Sequence, residues 1–285
     1  MRILVVGAAG MLGHKVVQRL VRTHSVAAVL RRLPPGAAPF LDGAEIFAGV
    51  DVRDEPALEA AMDAFAPEVV VNAVGVIKQL QVDTATQIAV NALFPHRLAA
   101  LCGRRGARLV SFSTDCVFSG RRGGYRETDT ADAEDVYGRT KWLGEVGGPG
   151  CITLRTSLIG RCPWSPVGLV EWFLAQRGPV KGYRRAVFSG LTTAVAAEVV
   201  ERVVRDHPAL EGVWQVASAP IAKLDLLQLL AQAFGSAIAI ESDDGVAIDR
   251  SLDGSRFLEA TGIAIPAWPD MVRELAADDA AYERS

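Results

Sequence analysis

The chain has 285 residues, 50% of them hydrophobic and 22% charged, which supports a sizeable packed core and excludes a disordered polymer. A formal net charge of −3 supplies no field that would gather nucleic acid or an anionic membrane surface, so neither is expected as a partner. The four cysteines form no C-x-x-C pair and the four histidines no ligand spacing, so no metal site or disulfide framework is expected.

In chain order, "RILVV" (2–6) predicts a strand and Met11 to about Arg22 a helix with Leu12, Val16, Val17 and Leu20 on one face. "SVAAVL" (25–30) and "AEIFAGV" (44–50) follow as strands, then a helix over 55–65 and the continuous apolar strand "EVVVNAVG" (68–75). A long helix is expected over 84–104, a strand over 107–113, and a helix over 137–147. Such alternation of near-continuous apolar strands with amphipathic helices predicts an α/β fold, a Rossmann-type doubly wound parallel sheet.

From about residue 157 the pattern weakens. "RCPWSPVG" (161–168) and "QRGPVKGYRRAVFSG" (176–190) read as irregular, before a helix near 194–206, a strand at 212–218 and a helix over 222–234. The expected organisation is a dinucleotide-binding domain over 1–156 and a smaller, mainly substrate-binding lobe over 157–285. The helix and strand near 194–218 are expected to return to the sheet, with a cleft between the two parts. No run of about 18 uncharged apolar residues occurs, and the opening "MRILVVGAAG" turns into glycine too soon to span a bilayer. Together with the free thiols this predicts a cytoplasmic protein.

"VVGAAGMLG" sets Gly7, Gly10 and Gly13 between the first strand and the first helix, with Met11 and Leu12 inside the same turn. Glycines there permit a tight turn and a close approach of backbone to a pyrophosphate, received at the helix N-terminus. A plain turn is the competing reading; the strand before and the helix after favour a dinucleotide. At the end of the second strand an acid would suit a ribose 2′-hydroxyl, but "AVLRRLPPG" places Arg31 and Arg32 there. Two cations suit a 2′-phosphate, so NADP(H) is favoured and NAD(H) is the alternative, unless the pair is only a solvated edge.

Downstream, "VYGRTK" sets Tyr137 and Lys141 one helical turn apart, behind a strand ending in Ser113 and Thr114. With four tyrosines and five lysines in the chain, chance gives roughly 0.07 such spacings by multiplying frequencies, so coincidence is a minor contender. A phenol titrates near 10 and is a poor proton donor at neutral pH, whereas a neighbouring ammonium lowers that value and makes it usable. The Thr114 hydroxyl can donate to the same carbonyl oxygen that the phenol protonates.

These stretches, with "DVRD" (51–54), "VNAVG" (71–75), "VNALFPHRLA" (90–99), "STDCVFSG" (113–120), "YRETD" (125–129) and "LRTSLIG" (154–160), resemble the extended short-chain dehydrogenases/reductases. Within them the chain looks most like the dTDP-4-dehydrorhamnose reductase group. The resemblance implies a catalytic triad of Thr114, Tyr137 and Lys141. It implies that Asp51 and Val52 hold the adenine end, that Ala73, Val74 and Gly75 line the cofactor with Ser113 nearby, and that Lys141 also holds the nicotinamide ribose. It implies NADPH-dependent reduction of a 4-keto group on a nucleotide-linked 6-deoxyhexose, with that nucleotide sugar as partner and a homodimer as one possible assembly.

Two positions depart from the group's pattern: Cys116 stands where an aromatic usually faces the sugar, and Leu158 where a tryptophan usually does. Both remove bulk, which opens the pocket to a larger sugar such as a UDP-linked 2-acetamido one. Candidate substrate contacts are Lys78, Thr114, Cys116, Leu158, Trp164 and Arg184; the last two come from the basic, aromatic stretch that also holds Lys181, Arg185, Trp172 and Tyr183. An acid pair after the threonine, as in a 4,6-dehydratase, is missing because Cys116 follows Asp115. The alternatives within the superfamily are a sugar-nucleotide epimerase with tightly held NAD, and a non-catalytic NADP-binding subunit resembling the regulatory subunit of methionine adenosyltransferase.

Overall fold

A computed structural model describes residues 1–80, 82–162, 164, 165 and 167–282. Of the stretch 161–168 read as irregular, Pro163 and Pro166 lie outside the described residues.

Ile3, Leu4, Val5 and Val6 of β1 (Arg2–Val6) are all completely buried. Successive side chains of a strand point to opposite faces, and here Ile3 and Val5 enter one hydrophobic cluster while Leu4 and Val6 enter another. A strand apolar at every position therefore sits in a sheet covered on both sides.

The chain runs through α1 (Gly13–Leu20), β2 (Ser25–Leu30), β3 (Glu45–Ala48), α2 (Glu55–Phe65), β4 (Val69–Asn72), α3 (Thr84–Gln87) and α4 (Phe94–Arg105). It continues through β5 (Arg108–Ser113), α5 (Val136–Leu143), β6 (Cys151–Arg155), β7 (Leu158–Ile159), α6 (Leu169–Leu174) and β8 (Val180–Phe188). The rest comprises β9 (Leu191–Thr192), α7 (Thr193–Asp206), β10 (Gly212–Gln215), β11 (Ile221–Ala222), α8 (Lys223–Ala233), β12 (Ile240–Asp249), α9 (Ser255–Thr261) and α10 (Trp268–Ala277).

The central sheet has the order β10-β6-β5-β4-β1-β2-β3, and every pairing in it is parallel. This is a Rossmann-type α/β sheet in which the order reverses beside β1, the position where such sheets open a crevice at their strand ends. Val16, Val17 and Leu20 of α1 and Val199, Val200 and Val203 of α7 fill one face. Leu58, Met62 and Phe65 of α2 and Leu98 and Leu101 of α4 fill the other.

Two differences from the sequence reading have physical causes. The helix expected over 84–104 is interrupted by a π-type segment, Ile88–Leu93. Pro95 stands in the first turn beyond it and has no N–H to offer the carbonyl of Asn91, so the ladder widens there. The stretch 176–190, read as irregular, holds the nine-residue strand β8, which pairs with β11 antiparallel and with β12 parallel. Its cations meet the acids of β12: Lys181 lies 2.8 Å from Asp243, and Arg184 pairs with Asp244. Among the described residues no helix is long and apolar enough to cross a membrane.

Candidate active site

Gly7, at the end of β1, has φ +83°, and a Cβ on it would stand 2.9 Å from the Val74 side chain and 3.0 Å from the Ala73 carbonyl carbon. A Cβ on Gly13 would stand 2.1 Å from the Gly7 carbonyl oxygen. The turn thus folds tightly on itself and on the end of β4 because these two residues carry no side chain. α1 begins at Gly13 rather than at Met11, so Met11 and Leu12 belong to the turn.

Beside this turn lies a cavity of about 310 Å³ at the ends of β1, β2 and β4. Its lining includes Gly7, Arg31, Asp51, Val52, Val74 and Gly75, all candidates from sequence, and adds Arg53 and Val76. Ala73 is half-buried next to it, and Arg32 is exposed and outside the lining. The Asp51 carboxylate accepts from the Arg53 backbone N–H at 2.9 Å and from its guanidinium at 3.0 and 2.8 Å. The Arg53 side-chain hydrogen bond is the chief reason the carboxyl sits at about 2, and the Arg31 charge adds to it. Arg53 was legible only as the third residue of "DVRD", two positions from the acid it clamps.

At the end of β5, Thr114 caps a short 3₁₀ turn over Asp115–Val117. Its hydroxyl accepts from the Cys116 N–H at 3.1 Å and donates to Asp115 Oδ1 at 3.0 Å. α5 is aimed at this turn by its own cap: Asp135 accepts from the Gly138 N–H at 2.9 Å and from Lys78 Nζ at 2.9 Å. A Cβ at Gly138 would lie 2.2 Å from the Cys116 carbonyl oxygen, so the helix can approach so closely only with glycine there. The result brings the Tyr137 phenol into interaction with the Thr114 hydroxyl.

Burial pushes the Tyr137 phenol upward, the nearby Cys116 and Asp115 add to this, and the Thr114 hydroxyl works against it. Burial also lowers Lys141, to about 8, with Glu145 pulling the other way. Lys141 Nζ donates to the Phe112 carbonyl at 2.7 Å. The expectation that Lys141 lowers the Tyr137 phenol is therefore corrected: desolvation dominates both groups, and the ammonium is turned to a backbone carbonyl of β5.

Ser113, expected at the cofactor, donates to Glu145 at 2.6 Å, and Glu145 forms a two-point ion pair with Arg155 at 2.9 and 2.7 Å. Both partners of that pair are nearly inaccessible. Asn91, which the sequence reading did not single out, is buried and bonds Val76 twice, to its N–H and to its carbonyl, each at 2.8 Å. It sits in the π segment and fixes the cavity wall beside Gly75; the signal for it was the "VNALFP" stretch with its proline four residues on.

The candidate substrate contacts divide. Cys116 is half-buried next to Tyr137, its thiol pushed up to about 12 chiefly by burial. Leu158 is half-buried in β7 and packs on the main core. Lys78 is tied to the α5 cap. Trp164 is committed to the glycine-rich turn, where its indole N–H donates to the Ala9 carbonyl at 2.7 Å. Arg184 is exposed on β8 and held by Asp244, on the small sheet rather than among the Thr114–Tyr137 groups.

The arrangement fits a nicotinamide dinucleotide: a side-chain-free cradle at Gly7 and Gly13, a clamped acid and an arginine at the β2 end, and a phenol–hydroxyl–ammonium set at the end of β5. Chemically it can donate a proton from the phenol of the half-buried Tyr137 to an oxygen placed beside Thr114.

Comparison with known proteins follows the same outline. A dTDP-4-dehydrorhamnose reductase of Streptomyces griseus is 34% identical over 147 residues, 50% of this chain and 43% of that protein. Methionine adenosyltransferase 2 subunit beta of Pongo abelii is 32% identical over 150 residues, 50% of this chain and 41% of that protein. The matched segments thus span about half the length of such relatives or less. The crystal structure of dTDP-4-dehydrorhamnose reductase from Bacillus anthracis, in complex with NADP, superposes with a TM-score of 0.80 at 17% identity. The match covers 97% of this chain and 99% of that one, and shows a common fold. The RmlD substrate binding domain family matches residues 1–162, more than half of the sequence, and the chain belongs to that family.

Proposed function

We propose that the protein is an NADPH-dependent oxidoreductase that reduces the 4-keto group of a nucleotide-linked 4-keto-6-deoxyhexose. The observation that carries this reading is the meeting of Tyr137 and Thr114 at the end of β5, with Lys141 one turn further along the same helix. The relative from Streptomyces griseus is named for such a reduction, and the Bacillus anthracis structure was solved with NADP. When bound, the dinucleotide supplies the hydride that reaches the carbonyl carbon. Tyr137 holds the proton that the developing alkoxide takes up, and its burial keeps that proton on the phenol until an anion forms beside it. Thr114 orients the carbonyl oxygen, and Lys141 would hold the nicotinamide ribose. Residues 1–156 would hold the dinucleotide, and residues 157–285 would supply most of the sugar contacts. The small side chains at Cys116 and Leu158 favour a sugar with a larger 2-substituent, such as a UDP-linked acetamido sugar.

The test is NADPH oxidation monitored against a panel of TDP-, UDP- and GDP-linked 4-ketohexoses, with Tyr137→Phe as control. Turnover should appear with at least one sugar and fall by about 10²–10⁴ in the variant, while NADPH affinity stays within several-fold. Similarity to methionine adenosyltransferase 2 subunit beta favours a second reading, a non-catalytic dinucleotide-binding subunit. Tight NADPH binding with no oxidation on any sugar would select it.

A further inference from the structure

Two ring N–H groups hold the glycine-rich turn from outside. Trp164 Nε1 donates to the Ala9 carbonyl, as described, and the Gly10 carbonyl oxygen lies 2.8 Å from His14 Nδ1 and accepts the His14 backbone N–H at 3.2 Å. A carbonyl has no proton to offer, so Nδ1 carries the ring hydrogen. His14 Nε2 lies 2.7 Å from the Tyr282 hydroxyl. The ring is completely buried, which holds its pKa down at about 4 and keeps it neutral, so Nε2 accepts and the phenol donates. The Asp278 carboxylate, which Lys15 holds, also lies within reach of the Tyr282 hydroxyl.

The surroundings fix this relay in place. His14 packs edge-on against Trp164 with centroids 5.1 Å apart, and Tyr282 stacks on Phe40 at 4.7 Å. Arg161 pairs with Asp279, which ties the Trp164 segment to the same stretch of chain. In a trans peptide the carbonyl and the following N–H point in opposite directions, and the described chain has no cis bond. Turning the Gly10 carbonyl toward His14 therefore turns the Met11 N–H away from it, and that N–H makes no hydrogen bond among the described residues.

We propose that His14 and Tyr282 are positioning residues for the diphosphate of the dinucleotide: the chain of hydrogen bonds from Tyr282 through His14 to Gly10 orients the Gly10–Met11 peptide so that its N–H faces the phosphate. The segment 278–282, more than 260 residues away in sequence by the 268-residue separation of the two rings, is thereby part of the cofactor site. This rests on the dinucleotide reading above, and the experiment separates the two.

Calorimetric titration of wild type, His14→Phe, His14→Asn and Tyr282→Phe would use NADPH, NADH and adenosine 2′-phosphate, which lacks the diphosphate, with thermal midpoints recorded alongside. His14→Phe keeps the ring and loses both bonds; it should weaken both dinucleotides by roughly five- to thirty-fold, the range one or two lost buried hydrogen bonds give. Adenosine 2′-phosphate should change by less than about two-fold, since its contacts lie elsewhere. His14→Asn, which can return a donor near Nδ1, should recover most of the loss. Tyr282→Phe keeps the stack on Phe40 and should weaken the dinucleotides by about three-fold or more, which maintains the test if His14 variants fail to fold. Equal losses for all three ligands, or folded variants that bind dinucleotides as the wild type does, would overturn the proposal. A wild type that binds neither dinucleotide would overturn the functional reading, and this inference with it.

Discussion

Thr114 donates its one hydroxyl proton to Asp115 Oδ1, at 3.0 Å. That direction changes the role expected of it. To donate to a substrate carbonyl, or to a phenolate at Tyr137, the same proton has to leave Asp115. Asp115 is fully enclosed and its carboxyl is raised, chiefly by burial, against the pull of Thr114 and Arg250.

Removing the hydroxyl should therefore show twice. Thr114→Val leaves the Cys116 N–H and Asp115 without their partner in a buried turn, at a cost of about 1–3 kcal/mol per group. The thermal midpoint should drop and turnover should fall by on the order of a hundred-fold. Thr114→Ser keeps both hydrogen bonds and should remain within several-fold of wild type in both measurements. A valine variant as stable and as active as the wild type would remove Thr114 from the site.

Lys141 offers a prediction with a definite sign. Its folded pKa of about 8 lies below the ordinary 10.5, because burial disfavours the ammonium. Between those values the unfolded chain binds more protons than the folded one, so stability from this group rises with pH across 8 to 10.5. Below 8 the full cost of burying the charge is present. Lys141→Met abolishes this titration and should also abolish turnover. Its stability relative to wild type should be most favourable near pH 7 and decline by about 3 kcal/mol as pH rises to 10.5. Urea denaturation of both proteins at several pH values measures the difference. Parallel curves across that window would show that Lys141 titrates as an exposed lysine does.

What could be read from the sequence depended on how local the information was. β1, β2 and β5 are apolar runs closed by turn residues, and Tyr137 and Lys141 are related by one helical turn, so their neighbourhood is contained in a few consecutive residues. β12, with the sequence "IESDDGVAID", does not carry a buried-strand pattern. It becomes a strand by pairing with β8, whose Lys181 and Arg184 meet its acids, a relation that spans some sixty positions. Trp164 illustrates the same limit: its partner Ala9 is 155 residues away, so the indole could be read as a sugar contact from sequence and yet lie on the glycine-rich turn. The Ser113 hydroxyl looked available at a strand end; its commitment to Glu145 depends on Arg155, which arrives on the neighbouring strand β6. Asn91 needed knowledge of where the helix after β4 would widen.

The arginine pair at the end of β2 divides in the same way, and the division is testable. Arg31 lines the cavity, contributes to the low pKa of Asp51, and makes no ion pair among the described residues. Arg32, the next residue and exposed as Arg31 is, lies outside the lining. A 2′-phosphate placed near Asp51 would meet a carboxylate, but Arg53 already holds that charge in a two-point pair. Arg31 is thus the cation left to meet the phosphate. Arg31→Ala should reduce the preference for NADPH over NADH by ten-fold or more, since a charge-assisted hydrogen bond contributes about 1.5–3 kcal/mol. Arg32→Ala should change either affinity by less than about two-fold, because that side chain stands outside the cavity lining. Arg53→Ala exposes the Asp51 charge and should weaken NADPH more than NADH through repulsion of the same phosphate. Dissociation constants for both dinucleotides, measured on the three variants, decide the matter: equal losses for NADPH and NADH at Arg31 would mean that this side chain shapes the loop and does not read the phosphate.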